Sequence, residues 1–180
     1  ERLIYDTLHG DMHLDMAAEC FMLDKGQVSK GVRNEVKGDF VFAEFYGDVY
    51  FQRAPHLWEV CSNPEFKIPG TDKSILEHLR EHGITKLGRC DPSDRPEPGT
   101  FEHHVKCVES DFWNRRFKVY TKWKEQTWEN YQRTGGFELL TGFCVFAIHK
   151  RNDVLNYPIQ GSSFHILLYG LIKMDAWLCK

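Results

Sequence analysis

Residues 27–47 read QVSKGVRNEVKGDFVFAEFYG, and this stretch sets the expectation for the rest of the chain. Val28, Val32, Val36 and Phe40 recur every four residues, the spacing of one face of an α-helix. The predicted helix runs from about Gln27 to Phe45 and ends at Gly47, a residue suited to the left-handed turn that closes a helix. Arg33 and Lys37 stand four apart on it, so both cations share a face within reach of one polyphosphate. Alone, that pair reads more simply as a solvated helix face. Phe42 and Tyr46, also four apart, offer a flat aromatic surface on which a base can stack. Alone, they read as core packing.

Upstream, Leu3, Ile4 and Leu8 have helical spacing up to Gly10. Asp11 is placed to cap a second helix with Met12, Met16, Cys20 and Phe21 in one apolar stripe, and Asp24-Lys25-Gly26 interrupts it. Downstream, Pro64, Pro69 and Gly70 mark a loop, and Asp72 is expected to cap the short helix SILEHLREH, closed by Gly83. The run DPSDRPEPGT (91–100) reads as an exposed loop. Two longer helices are expected over Phe101–Ser110 and Phe112–Arg133. The second carries Phe117, Tyr120, Trp123, Trp128 and Tyr131 on more than one face, which predicts burial on two sides. After Gly135-Gly136, FELLTGFCVFAI reads as a β-hairpin turning at Thr141-Gly142. A last helix is expected from Pro158 to Cys179, with Ile166, Leu167, Leu171 and Met174 inward. The fold class is therefore mainly α with one small β-hairpin and no internal repeat.

Composition bounds the function. With 180 residues, 42% hydrophobic and 14% aromatic, the chain can build a core of ordinary domain size. A formal net charge of −3 gives no global basic field, so any nucleic-acid contact must come from local patches. The apolar runs are too short for a membrane span, which needs ~20 residues. No signal peptide is evident, and a chain opening at Glu1 suggests a piece of something longer. Six scattered cysteines without a CxxC pair fit a reducing cytoplasm better than a disulfide framework. Cys90, His103, His104 and Cys107 have loosely metal-like spacing, although exposed histidines on a helix explain them more simply.

Asn156-Tyr157-Pro158-Ile159-Gln160-Gly161 places two amides around a proline. Such amides suit the acceptors of a DNA minor groove, or are a capping Asn and a surface Gln. WNRRFKVYTKWK (113–124) interleaves Arg115, Arg116, Lys118, Lys122 and Lys124 with aromatic residues and no acid, a pattern that binds backbone phosphate.

Taken in order, these segments resemble family A (DNA polymerase I-like) DNA polymerases of the phage type. ERLIYDTLHGDMHLDMAAECFM (1–22) resembles the segment after the family's first metal-binding aspartate motif, including a DxH pattern. RNEVKGDFVFAEFYG (33–47) resembles the fingers helix, RxxxKxxxFxxxYG. GGFELLTGF (135–143) is similar to the hairpin GxxxTxxGR, and NYPIQGSSFHILLYGLIKM (156–174) to NxPxQGxxxDxL. The resemblance implies a fingers subdomain of a right-hand polymerase fold. Residues 1–60 and 101–180 would be fingers and adjoining palm elements, and 61–100 an insertion or loop region, within a single 1–180 fragment.

By this resemblance His13, Arg33 and Lys37 would grip the triphosphate of the incoming dNTP. Phe42 would stack on its base and sugar, and Tyr46 would occupy the templating position in the open state. Asn156 and Gln160 would touch the primer-template minor groove, with Arg151, Asn152, Arg115, Arg116 and Lys118 as further DNA contacts. The implied partners are DNA primer-template, dNTP and the remainder of the polymerase chain, with no membrane, in a bacterial host's cytoplasm if phage-encoded. Mg2+ would be held in the full-length enzyme by carboxylates before Glu1 and after Lys180. Asp6, Asp11 and Asp15 are expected to be helix-surface and capping residues, so the isolated chain is expected to be inactive. The alternative is a non-enzymatic phage nucleic-acid-binding or structural module.

Three departures from the family pattern matter. Lys37 to Phe42 spans five residues where the family has four, which a π-bulge would absorb; pairing Val41 with Phe45 instead would lose the tyrosine. His165 stands where an aspartate is usual, and Asn152 where an arginine is, with Arg151 one residue off.

Overall fold

The computed structural model describes residues 2–146 and 150–179. They are mostly helical with one two-stranded antiparallel sheet, and they divide into two compact units, 1–118 and 119–180.

In the first unit α1 (Arg2–His9) leads to α2 (Met12–Phe21). Asp11 caps α2 by accepting a hydrogen bond from the Leu14 amide at 3.0 Å. Met16, Cys20 and Phe21 are fully buried, as their stripe predicts. On α1, Ile4 and Leu8 are exposed, and the side chain of Leu3 lies outside the described set. Ser29 caps α3 (Lys30–Val36), which continues into a π-helical segment, Lys37–Phe42, and then α4 (Ala43–Tyr46). Gly47 closes the run with φ 93, a conformation that costs glycine nothing.

Burial explains the π segment. Val32, Val36, Phe40 and Val41 are all within 1% of full burial. At about 100° per residue, a regular helix would set Val41 some 140° round from Val36, and Phe42 the same angle from Lys37. Absorbing one residue in a wide turn reduces both angles to about 40°. One face can then enter the core while Arg33, Lys37 and Phe42 share the face beside it. The extra residue therefore sits where the Lys37–Phe42 spacing anticipates it.

The rest of the unit packs on that helix. An unanticipated helix, α5 (Tyr50–Ser62), buries Ala54, Leu57, Val60 and Cys61 despite an internal Pro55. In the 61–100 region α6 (Ile75–Glu81) is capped by Ser74, not Asp72. Ser74 and Glu77 form a reciprocal capping box, which satisfies two orphan helix-end donors at once. Ile68, Ile75, Leu79 and Ile84 are buried, so this region contributes its own core. The next helix, α7 (Phe101–Asp111), runs into a second π-helical segment, Phe112–Arg116, and the helix is interrupted at Phe117 before α8 (Lys118–Thr134). The single helix expected over Phe112–Arg133 is thus two elements.

In the second unit, Tyr131 is buried, whereas Tyr120, Trp123 and Trp128 are only half-buried. Burial of α8 on two sides does not occur among the described residues. Strands β1 (Gly136–Glu138) and β2 (Cys144–Phe146) pair Phe137 with Val145, and Gly142 turns between them at φ 82. Ala147 and Ile148 of the expected hairpin lie outside the described residues. The last helix, α9 (Arg151–Leu178), begins seven residues before Pro158 and encloses it, so the proline is internal rather than initiating. The hairpin packs on α9 where a side chain is missing: a Cβ on Gly161 would come within 3.0 Å of Leu139. Buried Ser162 accepts from the Leu140 amide at 3.2 Å and donates to the Pro158 carbonyl. Ile166, Leu167, Leu171 and Met174, expected inward, are 54–63% exposed; the hairpin meets α9 at Gly161, Ser162 and His165.

Candidate nucleotide site

Four of the five residues assigned to the incoming nucleotide converge in the first unit. The His13 and Phe42 rings meet edge-on at 5.7 Å. Lys37 Nζ lies 5.3 Å from the centre of the Phe42 ring. Arg33 Nε donates to Asp11 Oδ2 at 2.7 Å, from the turn that begins the helix of His13. Phe42 is 44% exposed and Tyr46 55%, so both rings present open surface. Tyr46 lies one turn beyond Phe42 on the same helix, outside this contact set.

The electrostatics suit an anion. Burial, with the positive charges of Arg33 and Lys37, holds His13 below its ordinary imidazole value, against the opposing pull of Asp11. His13 Nδ1 is shielded and has no hydrogen-bond partner among the described protein atoms. Its bond to Arg33, against the cost of partial burial, holds the Asp11 carboxyl below its usual range, with the Leu14 amide and His13 adding to the effect. Arg33 thus rests on Asp11 through Nε and turns the other edge of its fork to Asn34, 3.4 Å away. A polyphosphate arriving here would meet one neutral imidazole, one ammonium and one forked guanidinium.

The carboxylates of this region are committed elsewhere. Asp6 is buried, not on the helix surface, and accepts from Arg116 Nε at 3.0 Å. Asp15 accepts from Arg116 Nη2 at 2.7 Å and pairs with Lys25 at 2.6 Å. Burial pushes the Asp15 carboxyl up, but these two partners together outweigh it and hold the group below its ordinary value. No group of three or more potential metal ligands occurs among the described residues, and carboxylates already held by arginine do not fit Mg2+.

Of the cations expected on DNA, Arg116 is turned inward, with 11% of its side chain exposed. Arg115 is exposed and pairs with Asp111 at 3.0 Å, and Lys118 is exposed. In the second unit Asn156 and Gln160 both lie on α9, four residues apart and therefore on one face. Asn156 is half-buried, while Gln160, Arg151 and Asn152 are exposed at the surface. His165 Nδ1 lies 2.7 Å from Thr141 Oγ1 and its ring meets Phe143 edge-on at 5.4 Å, so it fastens the hairpin tip to α9.

The loosely metal-like quartet does not assemble. His104 Nε2 engages the Glu19 carbonyl at 3.0 Å. Burial pushes the Cys90 thiol up to about 11, helped by the Glu102 carboxylate, which disfavours the thiolate a metal needs. All six cysteines are unpaired. Among the described residues no helix is long and apolar enough to cross a membrane.

What sequence reading missed is the reach of Arg116 to Asp6 and Asp15. Its partners lie about a hundred positions away, and the only signal was an arginine beside aromatic residues in a segment that also suits DNA. No family model matches the chain, and no curated protein or solved structure matches it.

Proposed function

We propose that this chain is the nucleotide- and primer-template-binding part of a DNA-directed DNA polymerase, a fingers region of the family A type. The observation that carries the reading is the convergence of His13, Arg33, Lys37 and Phe42 around the π segment. The three polar groups take the triphosphate, and the exposed face of Phe42 takes the base and sugar. Tyr46 extends the aromatic surface toward the templating base. Asn156 and Gln160 contact the minor groove of the primer-template, with Arg151, Asn152, Arg115 and Lys118 on the backbone. Arg116 leaves that group, since its guanidinium is saturated by carboxylates. The metal chemistry of nucleotidyl transfer belongs to carboxylates of the full-length enzyme, and Mg2+ has no seat among Asp6, Asp11 and Asp15.

The test is calorimetric titration of the chain with Mg2+-dATP, alone and after Lys37→Ala. Wild type is expected to bind, and loss of the charge-assisted contact to cost about 2–4 kcal/mol. A variant that binds as tightly as wild type removes Lys37 from the site. Absence of binding in a folded wild type, with salt-sensitive DNA binding retained, would favour the non-enzymatic nucleic-acid-binding module.

A further inference from the structure

Two carboxylates flank His13, Asp11 two residues before it at the cap of α2 and Asp15 two residues after it on α2. An arginine from a different element holds each one. Arg33 of α3 takes Asp11. Arg116, the last residue of the second π segment, takes Asp15 of α2 and Asp6 of α1 together, with Glu19 Oε1 a further 3.7 Å from Nη1. The side chains of Asp6 and Asp15 are 2% and 15% exposed, so this is a clasp inside the protein rather than a surface pair.

The clasp acts where α2 has little else to hold it. Its C-terminal half is anchored by Met16, Ala17, Ala18, Cys20 and Phe21, all buried. Residues 11–15, which carry His13, are only half-buried, so polar contacts set the position of that turn. The second π segment is in turn fixed to the continuous run from α3 to α4, the nucleotide helix of this proposal. Phe112 meets Phe40 and Phe45 edge-on, each at 5.6 Å, and Trp113 Nε1 donates to buried Glu44 at 2.6 Å. The contacts close a ring: α2 to Arg33 on the nucleotide helix, from there through Phe40 and Glu44 to the second π segment, and through Arg116 back to α2.

We propose that Arg116 is a positioning residue for the polyphosphate site, bridging Asp6 and Asp15 so that α2 holds His13 against Phe42 and opposite Arg33 and Lys37. The proposal rests on the nucleotide reading of that site. A planar fork can meet two carboxylates at fixed angles, which a lysine ammonium cannot do. The separation of Arg116 from the DNA-facing cations follows from the same geometry.

The experiment follows the NMR signal of the His13 ring, whose displacement by the ring current of Phe42 is calibrated by Phe42→Leu and assigned by His13→Gln. Arg116→Met is expected to lose most of that displacement and to bind Mg2+-dATP about tenfold more weakly, since small misplacements of a binding group are costly. Arg116→Lys keeps a positive charge beside both aspartates and is expected to be intermediate in both readouts. Stranding two buried carboxylates can unfold the methionine variant, and in that case the lysine variant decides. Folded Arg116→Lys and Asp15→Asn chains with an undisturbed His13 signal and undiminished binding would overturn the proposal. A wild type that binds no triphosphate, yet whose His13 signal moves on Arg116→Lys, would overturn the nucleotide reading and leave the mechanical coupling standing.

Discussion

Deleting Gly38 tests the account of the π segment. Gly38 is exposed, and no atom lies within 4 Å of where its Cβ would be, so its removal opens no cavity. Without it the segment can wind as regular α-helix. Val36 and Val41 then stand four apart, as do Lys37 and Phe42, and each pair keeps an offset of about 40°. The buried face survives, and a helical glycine worth about 1 kcal/mol of instability is gone. The expected stability is equal to wild type or up to about 1 kcal/mol above it. Deleting exposed Asn34 is the control. The π segment can absorb that loss too, but Glu35, Val36 and Lys37 must then turn by about 100°. Val36 is 0% exposed, and turning it out forfeits about 1.5–3 kcal/mol while removing Lys37 from the site. Urea denaturation followed by circular dichroism and tryptophan fluorescence measures both, and Mg2+-dATP titration measures the site. If the Gly38 deletion is destabilised as much as the Asn34 deletion, the π segment is not a one-residue register device and the reasoning fails.

Three further outcomes follow from the same structure. Asp11→Asn retains a good helix cap but weakens the charge-assisted contact that ties the start of α2 to Arg33, so triphosphate should bind more weakly than to wild type; calorimetry showing equal or tighter binding would take the Asp11–Arg33 pair out of the ring that positions His13. Burial and the charges of Arg33 and Lys37 hold His13 below its ordinary value, and a polyphosphate would raise it, so binding should take up protons and gain strength as pH falls from 8 to 6, relative to His13→Gln measured in parallel. Equal pH profiles for the two proteins would place His13 outside the site. Ile166→Lys with Leu171→Glu replaces two exposed apolar side chains of α9, and is expected to leave the thermal midpoint unchanged; a clear drop in circular-dichroism melting would show that these side chains are packed.

Local signals in the sequence were sufficient where a single helix turn decides the outcome. Asp11 caps α2 and Gly47 closes α4 because capping depends on a side chain and its nearest amides. Asp72 misled because two plausible caps stand two residues apart, and only Ser74 has a Glu three residues on to complete the box. The helix Tyr50–Ser62 was obscured by Pro55, a residue whose cost is met here by four buried side chains. At the site, the Arg33, Lys37 and Phe42 spacing was legible because all three lie on one helix. The approach of His13 to Phe42 depends on how α2 packs, which no spacing within either helix encodes.

The same distinction accounts for α9 and Arg116, the two places where expectation and structure part most. Periodicity can say that Ile166, Leu167, Leu171 and Met174 share apolar character, but a direction inward exists only relative to something packed there. The apolar residues of α9 lie on every side: Phe164, Leu168, Tyr169, Ile172 and Trp177 are exposed as well. A helix of that kind has no hydrophobic face to read, and within its unit the hairpin meets it at Gly161, Ser162 and His165. Arg116 is the converse. Its neighbours Arg115 and Lys118 are exposed, and composition gave it the same role as theirs. The π turn at Phe112–Arg116 separates them by changing which residues face inward. In the Phe112–Arg116 segment Phe112 is buried and Arg116 is held by carboxylates while Arg115 stays exposed, whereas the Lys37–Phe42 segment buries Phe40 and Val41 and keeps Arg33 and Lys37 on one face.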